Sequence, residues 1–132
     1  LIETGGLKIL AWGDNRHNPP EEVWAAVSDI DIVLLPIDDS QHVISFPHAE
    51  EIIERLNPSI IIPHHYYIFD VTVRQSTLQP ADGWLNTQEN VVRLTNPSVN
   101  YHPKDLTNIK RRIDFFDGHV AFDKKKWLSN SR

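Results

Sequence analysis

The sequence has no cysteine and no methionine, and only five glycines among 132 residues. Without cysteine there is no disulfide framework, no thiolate metal site and no cysteine nucleophile. Any metal site is thereby narrowed to histidine and carboxylate ligands. The five glycines form neither a phosphate-binding loop nor a dinucleotide fingerprint. No G-x-S-x-G turn is present, which argues against a serine hydrolase of the α/β type. No apolar run approaches the roughly 18 residues of a membrane span. A basic start followed by an apolar stretch and a cleavage site is also missing, so the expected location is cytoplasmic and no membrane partner is expected.

What is present is ordinary for a folded chain. About 40% of residues are hydrophobic and 23% are charged. The length suits a single domain spanning 1–132. The net charge of -5 is unevenly placed: residues 1–103 carry 5 basic and 14 acidic side chains, and residues 104–132 carry 8 and 4. An acidic body with a basic end argues against general nucleic-acid binding. Lys124, Lys125 and Lys126 beside Trp127 read first as a solvated face. The Leu1 start, with no methionine anywhere, carries the expectation of a fragment.

The periodicities give an alternating pattern. Ile2-Glu3-Thr4, Gly5-Gly6 and Leu7 to Trp12 read as a hairpin. Gly13-Asp14-Asn15 then turns the chain. A helix is expected after Asn18, which could cap it, with Pro19 and Pro20 in its first turn. Ile32 to Leu35 is a continuous apolar run closed by Pro36, as in a strand covered on both faces. A second helix is expected from Ser45 or Phe46, with Ala49, Ile52, Ile53 and Leu56 on one stripe and Asn57-Pro58 as its stop. Ser59 to Ile62 is another buried strand. Strand, helix, strand, helix, strand over 7–62 predicts an α/β layer. Beyond residue 70 the pattern weakens into an extension, 71–132. It holds a short helix within 80–88, a strand at Val91–Leu94, and a hairpin around Asp117-Gly118 between Ile113–Phe116 and His119–Phe122.

Three of these strands end in polar loops. The first runs into Asp14, with His17 behind it. The second runs into Asp38, Asp39 and His42. The third runs into His64 and His65. The carboxyl ends of parallel strands share one edge, which is where α/β sheets bind ligands. Carboxylate and imidazole gathered there suit a divalent metal, whether zinc, iron or manganese. Taken singly, each residue also has a structural reading. Asp14 could be a turn former, His42 a solvated side chain, and Tyr66, Tyr67 and Phe69 part of the core.

At these residues the sequence resembles the second half of a metallo-β-lactamase superfamily hydrolase, of the branch that includes ascorbate-6-phosphate lactonase-like proteins. Gly6 to Asn15 is similar to the family's G-x-x-I-x-x-x-G-D-T strand and turn. Asp31 to Ile37 resembles its next core strand, Ala49 to Pro58 its following helix, and Ile60 to Tyr66 its V-I-P-x-H-Y. The pieces occur in order over residues 2–70. The resemblance implies a layered αββα sandwich, of which this chain supplies about one half. It implies that Asp14 is a metal-bridging aspartate and that His65, directly before Tyr66, is a late metal ligand. His42, Asp39, His64 and Tyr66 become substrate-contact candidates. The implied activity is hydrolysis of an ester, lactone, amide or phosphoester in a small molecule by a metal-bound hydroxide.

Two departures accompany it. Asn15 stands where threonine is commoner. The family's T-H-x-H-x-D-H signature, which supplies most of the metal ligands, is absent. The expected partners are therefore the missing first half of the fold, or a second copy of this chain. The competing reading is a non-catalytic interaction module. A nuclease of the same superfamily, holding phosphates with the basic C-terminal stretch, is a third.

Overall fold

The computed structural model describes residues 1–68 and 76–117. Ten elements lie within them. Strands β1 (Ile2–Thr4) and β2 (Leu7–Ala11) form the expected hairpin. Gly5 and Gly6 both take positive φ in its turn, at 57° and 78°. That left-handed backbone is open to glycine at little cost.

Helix α1 (Glu21–Ala26) begins later than the sequence suggested. Its N-cap is Pro20, extended at φ -56° and ψ 155°, and no side chain caps it. The prolines explain the delay. A residue preceding proline is disfavoured from the helical region, so Pro19, which precedes Pro20, cannot serve as the first helical residue that an Asn18 cap would need. Glu21 and Glu22 still occupy the first turn, where the helix dipole favours them.

Strand β3 (Ile32–Pro36) and helix α2 (Phe46–Leu56) follow as expected. The Ser45 side chain caps α2 through the His48 amide, and Pro47 occupies its first turn. Ala49, Ile52, Ile53 and Leu56 are its buried stripe. Asn57 ends it in the left-handed conformation, and Pro58 prevents its continuation. Burying each large aliphatic side chain contributes about 1.5–3 kcal/mol, so the stripe rather than helix propensity fixes α2 on the sheet. Strand β4 (Ile60–His64), helix α3 (Asp82–Leu85) and strand β5 (Val91–Leu94) come next. Helix α4 (Pro103–Leu106) sits where the sequence showed only a His-Pro turn, with Pro103 at its first position. Strand β6 (Arg112–Phe116) closes the sheet. The second arm of the hairpin expected after Asp117, and the lysines near Trp127, lie outside the described residues, as does Phe69.

The six strands form one sheet in the order β1-β2-β3-β4-β6-β5. Every pairing is parallel except β1 with β2. Side-chain alternation divides the sheet into two faces. One face carries Leu10, Val33, Leu35, Ile61, Ile113 and Phe115. It packs with the α2 stripe and with Trp84 and Leu85 of α3 in the main core. The other face carries Leu7, Ile32 and Ile60, covered by Leu106 with Tyr101 and Ile109 beside it. That cover is short. One row further on, Ala11, Leu34 and Ile62 lie in register across β2, β3 and β4. Leu34 and Ile62 are only half-buried, and Ala11 is exposed. The mixed α/β layer, with α2 and α3 on one face and only the short α4 on the under-covered second face, fits the half-sandwich expected from the sequence. Among the described residues, no helix is long and apolar enough to cross a membrane.

Candidate metal centre

The register of β2, β3 and β4 brings their carboxyl ends to one edge: Ala11 lies beside Leu34, and Pro36 beside His64. The loops leaving that edge are stitched by backbone hydrogen bonds. The Ile37 amide donates to the His64 carbonyl at 3.0 Å, and the Gln79 amide to the Asp38 carbonyl at 2.7 Å.

Asp14 stands on the turn after β2. Gly13 takes φ 64° there, a conformation that disfavours other residues. Trp12 and Asn15 close the turn from both sides. The Trp12 indole donates to the Asn15 carbonyl at 3.1 Å, and the Asn15 amide donates to the Trp12 carbonyl. Asn15, the departure from the family pattern, thus latches the turn to a buried tryptophan. The Asp14 side chain is 74% exposed.

His65 follows directly on β4 and takes φ 61°. Left-handed backbone at a non-glycine residue is uncommon and costs energy unless its surroundings hold it. Here the hold is visible. His65 Nδ1 lies 3.0 Å from Oδ2 of Asp38. Asp38 is completely buried, and its carboxylate also accepts from the Ser40 hydroxyl at 3.0 Å and from the Ser40 and Ile44 amides at 3.4 Å. A carboxylate gripped by its own loop therefore fixes the imidazole. With Nδ1 donating to Asp38, the lone pair is left on Nε2, and Nε2 faces Asp14 Oδ1 at 3.9 Å. Carboxylate-to-histidine-to-metal is the arrangement that orients histidine ligands in metalloproteins.

The donor set fits a divalent ion. Two ligand atoms 3.9 Å apart lie within twice the roughly 2.0–2.2 Å of zinc–nitrogen and zinc–oxygen bonds. Asp14 and His65 alone do not fill a catalytic zinc site, which takes about three protein ligands.

The other candidates lie around this pair. His64 ends β4, edge-on to His65 with ring centroids 6.5 Å apart. Burial, then the neighbouring His65, pushes its imidazole below the usual range, against a hydrogen bond to the Leu34 backbone and the charges of Asp14 and Asp38. Tyr66 packs its ring on Phe115 at 5.3 Å, at the margin of the main core. Burial, then Asp117 and Asp82, pushes its phenol up. Asp39 takes φ 46° and accepts the Phe46 amide at 3.0 Å, which steadies the entry to α2. Asp39 and His42 line a cleft of about 610 Å³ with Gln41, Thr77 and Gln79. The structure thus brings Asp14 and His65 together, with His64 beside them. Asp38, which the sequence placed only among the polar loop residues, is the partner that positions His65. Its signal was its place as the first polar side chain after the β3 run.

Residues 1–65 match the family model described as a beta-lactamase superfamily domain. A solved structure from Thermotoga maritima, named as a candidate Zn-dependent hydrolase of the metallo-beta-lactamase superfamily, matches with a TM-score of 0.69 at 25% identity. The match covers 86% of this chain and 54% of that one, so this chain spans about half of its relative's length. No curated protein matches the sequence. In sequence over residues 1–65, and in fold over 86% of its length, the chain is similar to proteins of the metallo-β-lactamase superfamily.

Proposed function

We propose that this chain supplies part of the metal centre of a hydrolase, with Asp14 and His65 as metal ligands. The observation that carries the reading is the Asp38–His65–Asp14 line, in which a buried carboxylate aims the free imidazole nitrogen at a second carboxylate. A bound divalent ion, zinc first by this nitrogen and oxygen donor set, would supply Lewis-acid polarisation and a more acidic water. The chain's own residues do the holding. Asp38 fixes the tautomer and direction of His65. The Trp12–Asn15 latch fixes the turn that presents Asp14. His64, Asp39, His42 and Tyr66 are the side chains available to contact a small-molecule substrate carrying an ester, lactone, amide or phosphoester bond. The ascorbate-6-phosphate lactonase-like branch is the part of this reading carried by the sequence motifs alone.

The test uses the natural full-length protein. Asp14→Ala and His65→Ala are each expected to lower bound zinc, measured by elemental analysis, and to abolish hydrolysis of an ester and lactone panel. Unchanged zinc in both variants would remove the assignment.

The half-covered row of Ala11, Leu34 and Ile62 supports a second part of the reading: this face packs against the other half of a sandwich. Apolar surface left open on a sheet is a site of association. The 132-residue chain prepared alone is therefore expected to self-associate. Sedimentation showing a monomer at all concentrations, with a cooperative melt, would contradict it.

A further inference from the structure

A second group of metal-type donors lies on the helix side of the chain. His17, His48 and Glu51 each offer one ligand atom, and these atoms lie within 4.8 Å of one another. His48 is the third residue of α2 and Glu51 stands three residues on, so they share one helix face. His17 comes from the loop after Asp14. Its ring stacks on that of His48, with centroids 3.4 Å apart and planes 2° from parallel. The Ser45 cap fixes the turn that bears His48. A pocket of about 270 Å³, lined by His17, Glu21, Glu51 and Arg55, opens at the same place. Glu21 is paired with Arg55, and Arg55 lies over the Trp24 ring at 4.3 Å. Glu51 is the carboxylate on this pocket wall that remains for an ion.

We propose that His17, His48 and Glu51 form a second divalent-metal site, separate in its ligands from Asp14 and His65. Two imidazoles and one carboxylate are borderline-soft nitrogen and hard oxygen donors, a set that suits zinc and binds nickel and copper. Three protein ligands leave coordination positions for water from the pocket. The stack brings the two imidazoles together, but their near-parallel rings lie 3.4 Å apart between centroids, so one ring must swing out of the stack before both nitrogen lone pairs converge on the ion. The ion would tie the loop that follows Asp14 to the first turns of α2. The site does not depend on the chemistry proposed for the Asp14–His65 edge.

The experiment takes the natural full-length protein in an Asp14→Ala/His65→Ala background, so that failure of one site is distinguishable from failure of the other. Zinc alone is titrated and followed by calorimetry and by imidazole nitrogen resonances. The expected result is one ion bound, with the His17 and His48 resonances shifting together. His48→Gln and, separately, the exposed Glu51→Gln are expected to weaken this binding by at least the roughly 10–100-fold that loss of an outer-shell partner costs. The melting temperature without zinc serves as the folding control, and Glu51→Gln keeps the test open if His48→Gln is poorly folded. Zinc affinity unchanged in Glu51→Gln, or His17 and His48 resonances unmoved by zinc, would overturn the site.

Discussion

Asp38→Ala is expected to cost about 3–5 kcal/mol of stability and to weaken metal binding at the Asp14–His65 edge by about 10–100-fold. The stability loss follows from the partners left behind. The buried carboxylate accepts from the Ser40 hydroxyl, the Ser40 and Ile44 amides, and His65. Alanine leaves the buried donors without an acceptor, and each such donor costs about 1–3 kcal/mol. The metal effect follows from His65, whose left-handed backbone and ring direction both lose their anchor. Asp38→Asn separates the two effects. It keeps the shape and one acceptor oxygen, so the fold is expected to survive nearly intact. A side-chain amide turned toward His65 would instead donate to Nδ1, putting the ring proton on Nε2, where it faces Asp14 and blocks coordination. Thermal melts and zinc titration of the natural full-length protein check both parts. If the Asp38→Asn variant binds zinc as tightly as the parent, Asp38 does not position the ligand.

Asp114→Ala is expected to be as damaging, by about 3–5 kcal/mol, without touching the metal edge. Asp114 is buried in β6 on the sheet face opposite α2. Arg112 donates to it through two nitrogens, at 2.7 and 2.9 Å, and the Tyr101 hydroxyl donates at 2.6 Å. Removing the carboxylate strands a partly buried guanidinium and a phenol beneath the α4 cover. The same cluster sets a pH response. Burial first, then the hydrogen bond and charge of Asp114, hold the Tyr101 phenol far above its ordinary value of 10.0, with Arg112 opposing. Below pH 10 the phenol is protonated in both folded and unfolded chains, so the full contribution is present. Above that pH the unfolded chain loses its proton while the folded chain keeps it, and stability falls as pH rises. Tyr101→Phe is expected to remove that alkaline slope and cost about 2 kcal/mol, the order of a hydrogen bond to a charged group. Equal alkaline slopes in the parent and Tyr101→Phe would show that the phenol does not set it.

Local chemistry was legible wherever one signal had no competitor. Pro58 after Asn57 ends α2 whatever surrounds it, and the unbroken apolar runs Ile32–Leu35 and Ile60–Ile62 read directly as strands of the sheet. The start of α1 was not legible because Asn18 has the chemistry of a cap, while Pro20 denies Pro19 the helical backbone that a first turn after Asn18 would need. Helix α4 was hidden because four residues give no periodicity. It stands on its packing, through Leu106 against Leu7, Ile32 and Ile60.

The sequence by itself determined the alternation of strands and helices, the polar ends of three strands, and an absence of cysteine that leaves histidine and carboxylates as the metal-binding side chains. It narrowed the candidates to those strand ends, and the resemblance to metallo-β-lactamase superfamily hydrolases implied Asp14 and His65 among them. Only the tertiary structure decided which polar side chain serves them. Asp38 and Asp39 are neighbours of identical chemistry, yet one is buried against His65 and the other caps the entry to α2. Only the tertiary structure could join His17 to His48, far apart in the chain, in one stacked pair. Residue type and spacing set what a side chain can do. Which partner it meets depends on strand register and on the path of the loops, and those are fixed by packing across the whole sheet.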